Sequence, residues 1–180
     1  MRAVAVALLC IALLGAEPAP ERTIDVSASK AQFTVTHVFV EHVTGTIAIR
    51  SGTVTLPQGS LVPIAATATL DPATVNTGDR DRDSDLRGPD FFDAAKFPTL
   101  TFTSTKITPR GANAFGMDGT IAIHGAAQPQ HLDVTIAGTP DHPKYHATGK
   151  LDRHAFGMAI TRLDPAIGNT VDITLDIALQ

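Results

Sequence analysis

Apolar and polar residues alternate along most of the chain. The clearest run is at the C-terminus, where every second position from Val171 to Leu179 is apolar and most of the residues between are polar. The same period of two occurs at Leu132–Ile136 and, more briefly, around Ile121 and Leu100. This pattern predicts β-strands with one buried and one solvated face.

Glycine- and proline-rich segments separate these runs and set the predicted strand ends. An apolar parity shift in the third strand predicts a bulge at Ser51-Gly52. No long amphipathic helices alternate with the strands, which argues against a parallel α/β sheet. The predicted class is all-β, with the first two strands counted as separate or as one bent strand. The strands span residues 22–26, 31–38, 44–56, 61–71, 99–108, 113–124, 130–138, 144–154 and 169–179.

An antiparallel sheet of this size exposes its edges unless it closes, so a closed barrel is the economical arrangement. Periodicity alone leaves a β-sandwich open as the alternative.

One charged segment, residues 78–98, breaks the alternation. We expect a helix over 79–87 that ends at Gly88, then a second helical turn over 89–95 that directs Phe91 and Phe92 toward the barrel.

The first residues have the pattern of an export signal. Arg2 precedes an uncharged apolar run from Ala3 to Leu14, and the small residues Gly15 and Ala16 follow. The run is too short to span a bilayer. We therefore expect a signal peptide at 1–16, one domain at 17–180, and a periplasmic or secreted location. A short anchoring segment is the alternative.

The only cysteine, Cys10, lies inside this leader. The remaining 164 residues would contain no thiol, which excludes disulfides, thiolate metal sites and cysteine nucleophiles. Loss of Arg2 with the leader would leave 13 basic against 18 acidic residues. With that charge and no basic patch, we expect neither nucleic acid nor an anionic membrane surface as a partner, and no stable membrane insertion.

Two segments look like metal motifs. Asp79, Asp81, Asp83 and Asp85 alternate as in an EF-hand loop, but Ser84 replaces the required glycine and Asp90 stands where the bidentate glutamate belongs. Interleaved arginines favour a solvated, internally ion-paired helix instead.

The segment from His37 through Glu41 to His42 is spaced one residue too widely for a zinc peptidase and falls on a predicted strand and turn. No serine-hydrolase elbow, phosphate loop or dinucleotide fingerprint is present. We assign no catalytic residue and no metal ligand. If the protein were an enzyme with its site inside the barrel, His37 and His124 would be the first candidates.

Several motifs follow one another along the chain: Ser29–His37, Gly45–Ile47, Arg82–Asp93 with its Asp-Phe-Phe turn, Lys96–Pro98, Thr101–Thr105, Gly119–Gly125 with Gln128 and Pro129, Arg153 with Phe156 and Gly157, and the strand from Val171. Read in order, they resemble the YceI-like family, in which the Gly119–Pro129 segment corresponds to a hairpin. Two differences from the family pattern are Thr23, where an aromatic residue often stands, and Asp85, where the charged helix usually carries histidine.

The resemblance implies an eight-stranded antiparallel lipocalin-like barrel with a short helical cap. Its apolar tunnel would hold a polyisoprenoid or similar long-chain lipid, of quinone or prenyl-phosphate type, with no other cofactor and no catalysis. A fatty lipid would also fit, and a homodimer is left open. The candidate ligand-binding residues are Phe33, Val35, His37, Ile47, Ile49, Phe91, Phe92, Phe97, Leu100, Phe102, Ile121, Ile123 and Phe156.

The residues leave two other functions open. A structural or interaction protein of the cell envelope would have a filled core and an exposed apolar patch. A cavity-based enzyme would need polar groups that converge inside the barrel, for example an inward histidine beside an inward carboxylate.

Overall fold

The structure is a computed structural model that describes residues 19–37, 41–158 and 166–180. The predicted leader at 1–16, with Cys10, lies outside these residues, so the signal peptide stays a prediction. The strands are β1 (Glu21–Thr23), β2 (Lys30–His37), β3 (Glu41–Thr55), β4 (Ala65–Asn76), β5 (Leu100–Pro109), β6 (Ala114–Ile123), β7 (Ala126–Gly138), β8 (Pro143–Asp152) and β9 (Ile167–Ala178). Helix α1 spans Arg80–Arg87, and a 3₁₀ helix spans Arg153–Phe156.

The strands form a closed antiparallel barrel. From β2 to β9 each strand pairs with the next one along the chain, and the pairing of β9 with β2 closes the sheet. Closure leaves no long free edge and excludes the β-sandwich alternative. The predicted all-β, eight-stranded barrel is confirmed.

Strands β1 and β2 together occupy one position in the barrel. Both pair with the same side of β3, β1 with its end at Thr53–Thr55 and β2 with its beginning at 41–47. Both also reach β9, because β2 pairs with it directly and Ile24 bridges to Leu179. The two segments therefore act as one strand bent at 25–29, which explains nine segments in an eight-stranded barrel.

The bulge expected near Ser51 is present, since the β3–β4 register shifts between Ile49 and Ser51. A second shift accommodates Pro72, so β4 continues past the proline to Asn76 and the predicted end at 71 is too early.

The start predicted for the seventh strand, residue 130, is too late. His124 and Gly125 take φ values of 51° and 76° between the paired Ile123 and Ala126, which is the two-residue turn that suits a hairpin. Pro129 is tolerated because the β7–β8 ladder begins only at Leu132.

Helix α1 covers one end of the barrel. The Asp79 side chain caps it by accepting hydrogen bonds from the backbone N–H groups of Asp81 and Arg82 at 3.0 and 3.1 Å. The helix ends before Gly88, as predicted. The second helical turn predicted at 89–95 is wrong: this segment forms a series of turns, in which Asp93 takes a positive φ of 43°.

The two ends of the barrel are packed differently. At the end away from α1, a buried cluster includes Phe115, Tyr145, Leu56 and Leu179. The Tyr145 hydroxyl donates to the carbonyl of Leu61 at 3.0 Å, which ties the loop between β3 and β4 across that opening. At the α1 end, a separate cluster lies beneath the helices and surrounds the entrance to a cavity.

Candidate functional site

The barrel contains a cavity of about 450 Å³, lined almost entirely by apolar side chains. Its lining on β9 runs from Ile167 to Ile177. Ten residue steps correspond to about 33 Å of strand, or about 25 Å along the axis of a barrel with tilted strands. The cavity is therefore a long, narrow tunnel.

Two glycines keep the tunnel open. A Cβ atom on Gly45 would lie 2.3 Å from the Phe33 ring, and one on Gly119 would lie 2.4 Å from the Phe102 ring. Each aromatic ring thus lies directly against bare backbone and lines the wall. With a side chain at either glycine, the ring would have to move.

Most of the predicted ligand-binding residues line this tunnel, although their contact with a ligand stays a prediction. The alternation of the strands explains the agreement, because it fixes which side chains point inward. The lining residues among them are Phe33, Val35, His37, Ile47, Ile49, Phe91, Phe92, Leu100, Phe102, Ile121 and Ile123.

Phe97 and Phe156 lie outside the lining. Phe97 packs edge-on against His124, with ring centroids 5.4 Å apart, over the turn between β6 and β7. Phe156 is buried at the end of the 3₁₀ helix, in the cluster beneath the cap. Phe97 precedes β5 and Phe156 follows β8, so both lie outside the strands, where alternation does not determine the direction of a side chain.

Sequence reasoning missed nearly two thirds of the wall. Alternation predicts β9 as a strand, but it does not show that its inward residues face a tunnel, and small residues such as Ala31 and Ala68 give no signal. The missed lining residues are Ala31, Val43, Ala68, Leu70, Asp79, Asp81, Arg82, Asp85, Leu86, Gln130, Leu132, Leu151, Arg153, Met158, Ile167, Val171, Ile173, Leu175 and Ile177.

Polar groups of the lining gather where α1 covers the tunnel. Asp79, Asp81, Arg82 and Asp85 all belong to the lining there. The backbone N–H of Arg82 donates to Asp79 and holds the pKa of that carboxyl below its usual range. Arg82 itself donates from Nε to the Thr77 hydroxyl at 2.8 Å. The part of the lining that α1 contributes, which we call the mouth of the tunnel, is thus polar, with three carboxylates and one guanidinium. The buried Arg153 adds a second guanidinium to the lining.

Of the two histidines considered as candidates for catalysis, His37 lines the tunnel and His124 does not. The Nδ1 of His37 is 3.6 Å from Oε2 of the exposed Glu41, which is too far for a hydrogen bond. The Nδ1 of His124 lies 3.1 Å from the carbonyl oxygen of Phe156. No hydrogen-bonded histidine–carboxylate pair lines the tunnel in the part of the chain described.

The charged helix has structural roles for its carboxylates. The buried Asp83 accepts hydrogen bonds from the Thr77 backbone N–H at 2.8 Å and hydroxyl at 2.7 Å.

Across residues 19–37, 41–158 and 166–180, no group of three or more histidine, cysteine or acidic side chains is arranged to hold a metal ion. Neither helix among the described residues is long and apolar enough to cross a membrane.

The chain resembles known proteins along nearly its whole length. A YceI-like domain model matches residues 23–179. Protein YceI of Salmonella newport is 29% identical over 160 residues, covering 84% of this chain and 83% of that protein.

Solved structures share the fold. BcnA of Burkholderia cenocepacia superposes with a TM-score of 0.78 at 22% identity, over 87% of this chain and 99% of that one. A polyisoprenoid-binding domain from Saccharophagus degradans, implicated in plant cell wall breakdown, gives a TM-score of 0.68 at 15% identity, over 91% and 99%. With the domain match spanning nearly every strand of the barrel, the chain belongs to the YceI-like domain family.

Proposed function

We propose that this protein binds a polyisoprenoid or similar long-chain lipid in its tunnel and carries it through the periplasm without changing it chemically. The observation that carries the proposal is the long, narrow, apolar tunnel with polar groups at its covered end. A solved relative of the same fold is a polyisoprenoid-binding domain, which supports this ligand class.

The energetics suit such a ligand. Each CH₂ group moved from water into an apolar environment contributes about 0.8 kcal/mol. A chain that fills a 25 Å tunnel therefore gains most of its affinity from its tail, with little need for polar contacts. The volume of about 450 Å³ also falls within the range of small-molecule sites, roughly 300–1,000 Å³.

The two alternatives fit less well. A filled-core interaction protein requires a barrel without a cavity, and the large exposed apolar side chains in the described part of the chain are Val26 and Ile64. Two side chains of this size do not make a large apolar docking patch. An enzyme requires reactive groups that converge on the tunnel, and the loose contact of His37 with Glu41 does not provide them.

Native mass spectrometry, combined with organic extraction of protein purified from its own host, tests the proposal. We expect one long-tailed lipid per barrel. The matched variants are Ile173→Trp, which fills the tunnel beside Gly149, and Thr148→Trp, which places the same side chain on the outer face.

Lipid should be lost from Ile173→Trp and kept by Thr148→Trp. A wild-type protein that carries no lipid and takes up no added isoprenoid would overturn the proposal.

A further inference from the structure

One polar side chain interrupts the apolar wall well inside the barrel. Gln130 on β7 is 5% exposed and belongs to the tunnel lining. It pairs in register with Gly119 on β6. Its neighbours in the lining, Leu132, Ile121 and Leu151, are all apolar.

The amide of Gln130 has a fixed orientation. Its Nε2 donates to the backbone carbonyls of His131 at 2.6 Å and Lys150 at 3.2 Å. These two contacts use both hydrogens of the amide nitrogen. Exchanging nitrogen and oxygen would place an acceptor against two carbonyl oxygens, so Nε2 must face the wall.

The other end of the amide, Oε1, receives no hydrogen bond from any described residue. When an apolar ligand expels water from the tunnel, an acceptor left there without a partner is unfavourable. A water molecule would need two or more polar partners, and the apolar neighbours of Gln130 offer none beyond Oε1. At this position the wall therefore presents one acceptor, Oε1, and no free amide donor to a ligand in the tunnel.

We propose that Gln130 selects ligands that carry a neutral hydrogen-bond donor, an O–H or N–H group, along with their long apolar tail. This inference rests on the proposed lipid-binding function and names its ligand class more closely. A long-chain alcohol, a quinol or a primary amide can donate to Oε1. An oxidised quinone, an ether or an ionised phosphate ester offers acceptors only and leaves Oε1 unpaired.

The charged residues at the mouth of the tunnel also disfavour ligands with a phosphate head group. Asp79, Asp81 and Asp85 outnumber the two guanidiniums of the lining. Arg82 already donates to Thr77, and Arg153 already donates to backbone carbonyls. The net negative charge of these residues would repel an anionic head group, whereas a neutral head group would not be repelled.

Titration of lipid-stripped protein with geranylgeraniol and with its methyl ether tests the inference. The tail is identical, so the ratio of the two dissociation constants reports the donor. We expect wild type to prefer the alcohol about tenfold, the effect of one buried hydrogen bond of about 1.4 kcal/mol. In Gln130→Met, which removes the acceptor at similar length, the preference should vanish or reverse.

Gln128→Met is the matched control. Gln128 lies two residues earlier on β7 and donates from Nε2 to the Ala155 carbonyl at 2.9 Å, but it does not line the tunnel. It should keep the wild-type preference.

Equal affinity of wild type for both ligands, or an unchanged preference in Gln130→Met, overturns the inference while the lipid-binding proposal stands. Failure of wild type to bind either ligand overturns the proposed function itself. If Gln130→Met does not fold, the wild-type comparison alone decides.

Discussion

The two ends of this barrel are built from the same alternating strands, yet one is solid and the other hollow. At the solid end, Phe115 and Tyr145 meet edge to face with centroids 5.9 Å apart, and the loop held by Tyr145 closes the opening. In the hollow part, Phe33 and Phe102 lie directly against Gly45 and Gly119. Large aromatic residues are present in both regions.

The difference lies in the residue that each aromatic ring contacts. An aromatic ring that faces another large side chain fills the barrel, whereas a ring that lies on a glycine leaves the axis free. A period of two therefore specifies which residues point inward, while the placement of glycine and alanine specifies whether the interior is packed or open.

The largest expected effect comes from truncating a ring in each region. Phe115→Ala should cost about 3–5 kcal/mol of unfolding free energy, because Phe115 is 1% exposed and fully surrounded. Phe102→Ala should cost about 1–3 kcal/mol, because one side of its ring already faces the tunnel. Urea denaturation of lipid-stripped protein measures both values. Equal losses would contradict the distinction between solid and hollow regions.

The next effect concerns ligand binding. Ile173→Trp should lower the affinity for a long-chain isoprenoid at least tenfold, since an indole in mid-tunnel displaces several methylene groups of the tail. Thr148→Trp should leave the affinity unchanged, because Thr148 is exposed on the outer face. Fluorescence or calorimetric titration measures the change, and equal affinities of the two variants would argue against a tail in the tunnel.

A smaller effect is expected for the closure of the solid end. Tyr145→Phe should cost about 1 kcal/mol through loss of the hydrogen bond to Leu61, with ligand affinity unchanged. Burial raises the pKa of Tyr145 to about 12. Because the folded pKa lies above the unfolded value, this group stabilises the fold fully below about pH 10, and its contribution is lost as the pH rises toward 12.

Tyr145 is the only tyrosine, and the chain has no tryptophan, so its ionisation can be followed by ultraviolet absorbance. A midpoint near pH 10 in the folded protein would show that the solid end is open to water.

The smallest effect involves His131 on the outer face. The hydrogen bond from His131 Nδ1 to Asp118 at 2.6 Å raises the pKa of the imidazole, with Asp133 contributing further. The stabilisation is complete below the unfolded pKa of about 6.5 and is lost as the pH rises through the folded value.

His131 is 44% exposed, so solvent screening should keep this effect below about 1 kcal/mol. Thermal melts between pH 5.5 and 8.5 should show a decline in stability that is weaker in His131→Gln. Identical pH profiles would rule out the contribution.

The sequence alone allowed the fold to be predicted closely and the site in part. Alternation identified the strands and the inward direction of residues such as Ile121 and Phe102, and the charged segment identified α1. Alternation could not place the two-residue turn at His124–Gly125, because the positive φ of His124 comes from the closure of β6 on β7. It also missed Gln130, whose role depends on carbonyl groups that β7 and β8 bring together.

The most direct test of the hollow region is calorimetric titration of lipid-stripped protein with geranylgeraniol at several temperatures. Binding in the tunnel predicts one ligand per barrel and a negative heat-capacity change, which marks burial of apolar surface. Both signals should be lost in Ile173→Trp and kept in Thr148→Trp. Binding that persists unchanged in Ile173→Trp, or no binding to wild type, would contradict the account.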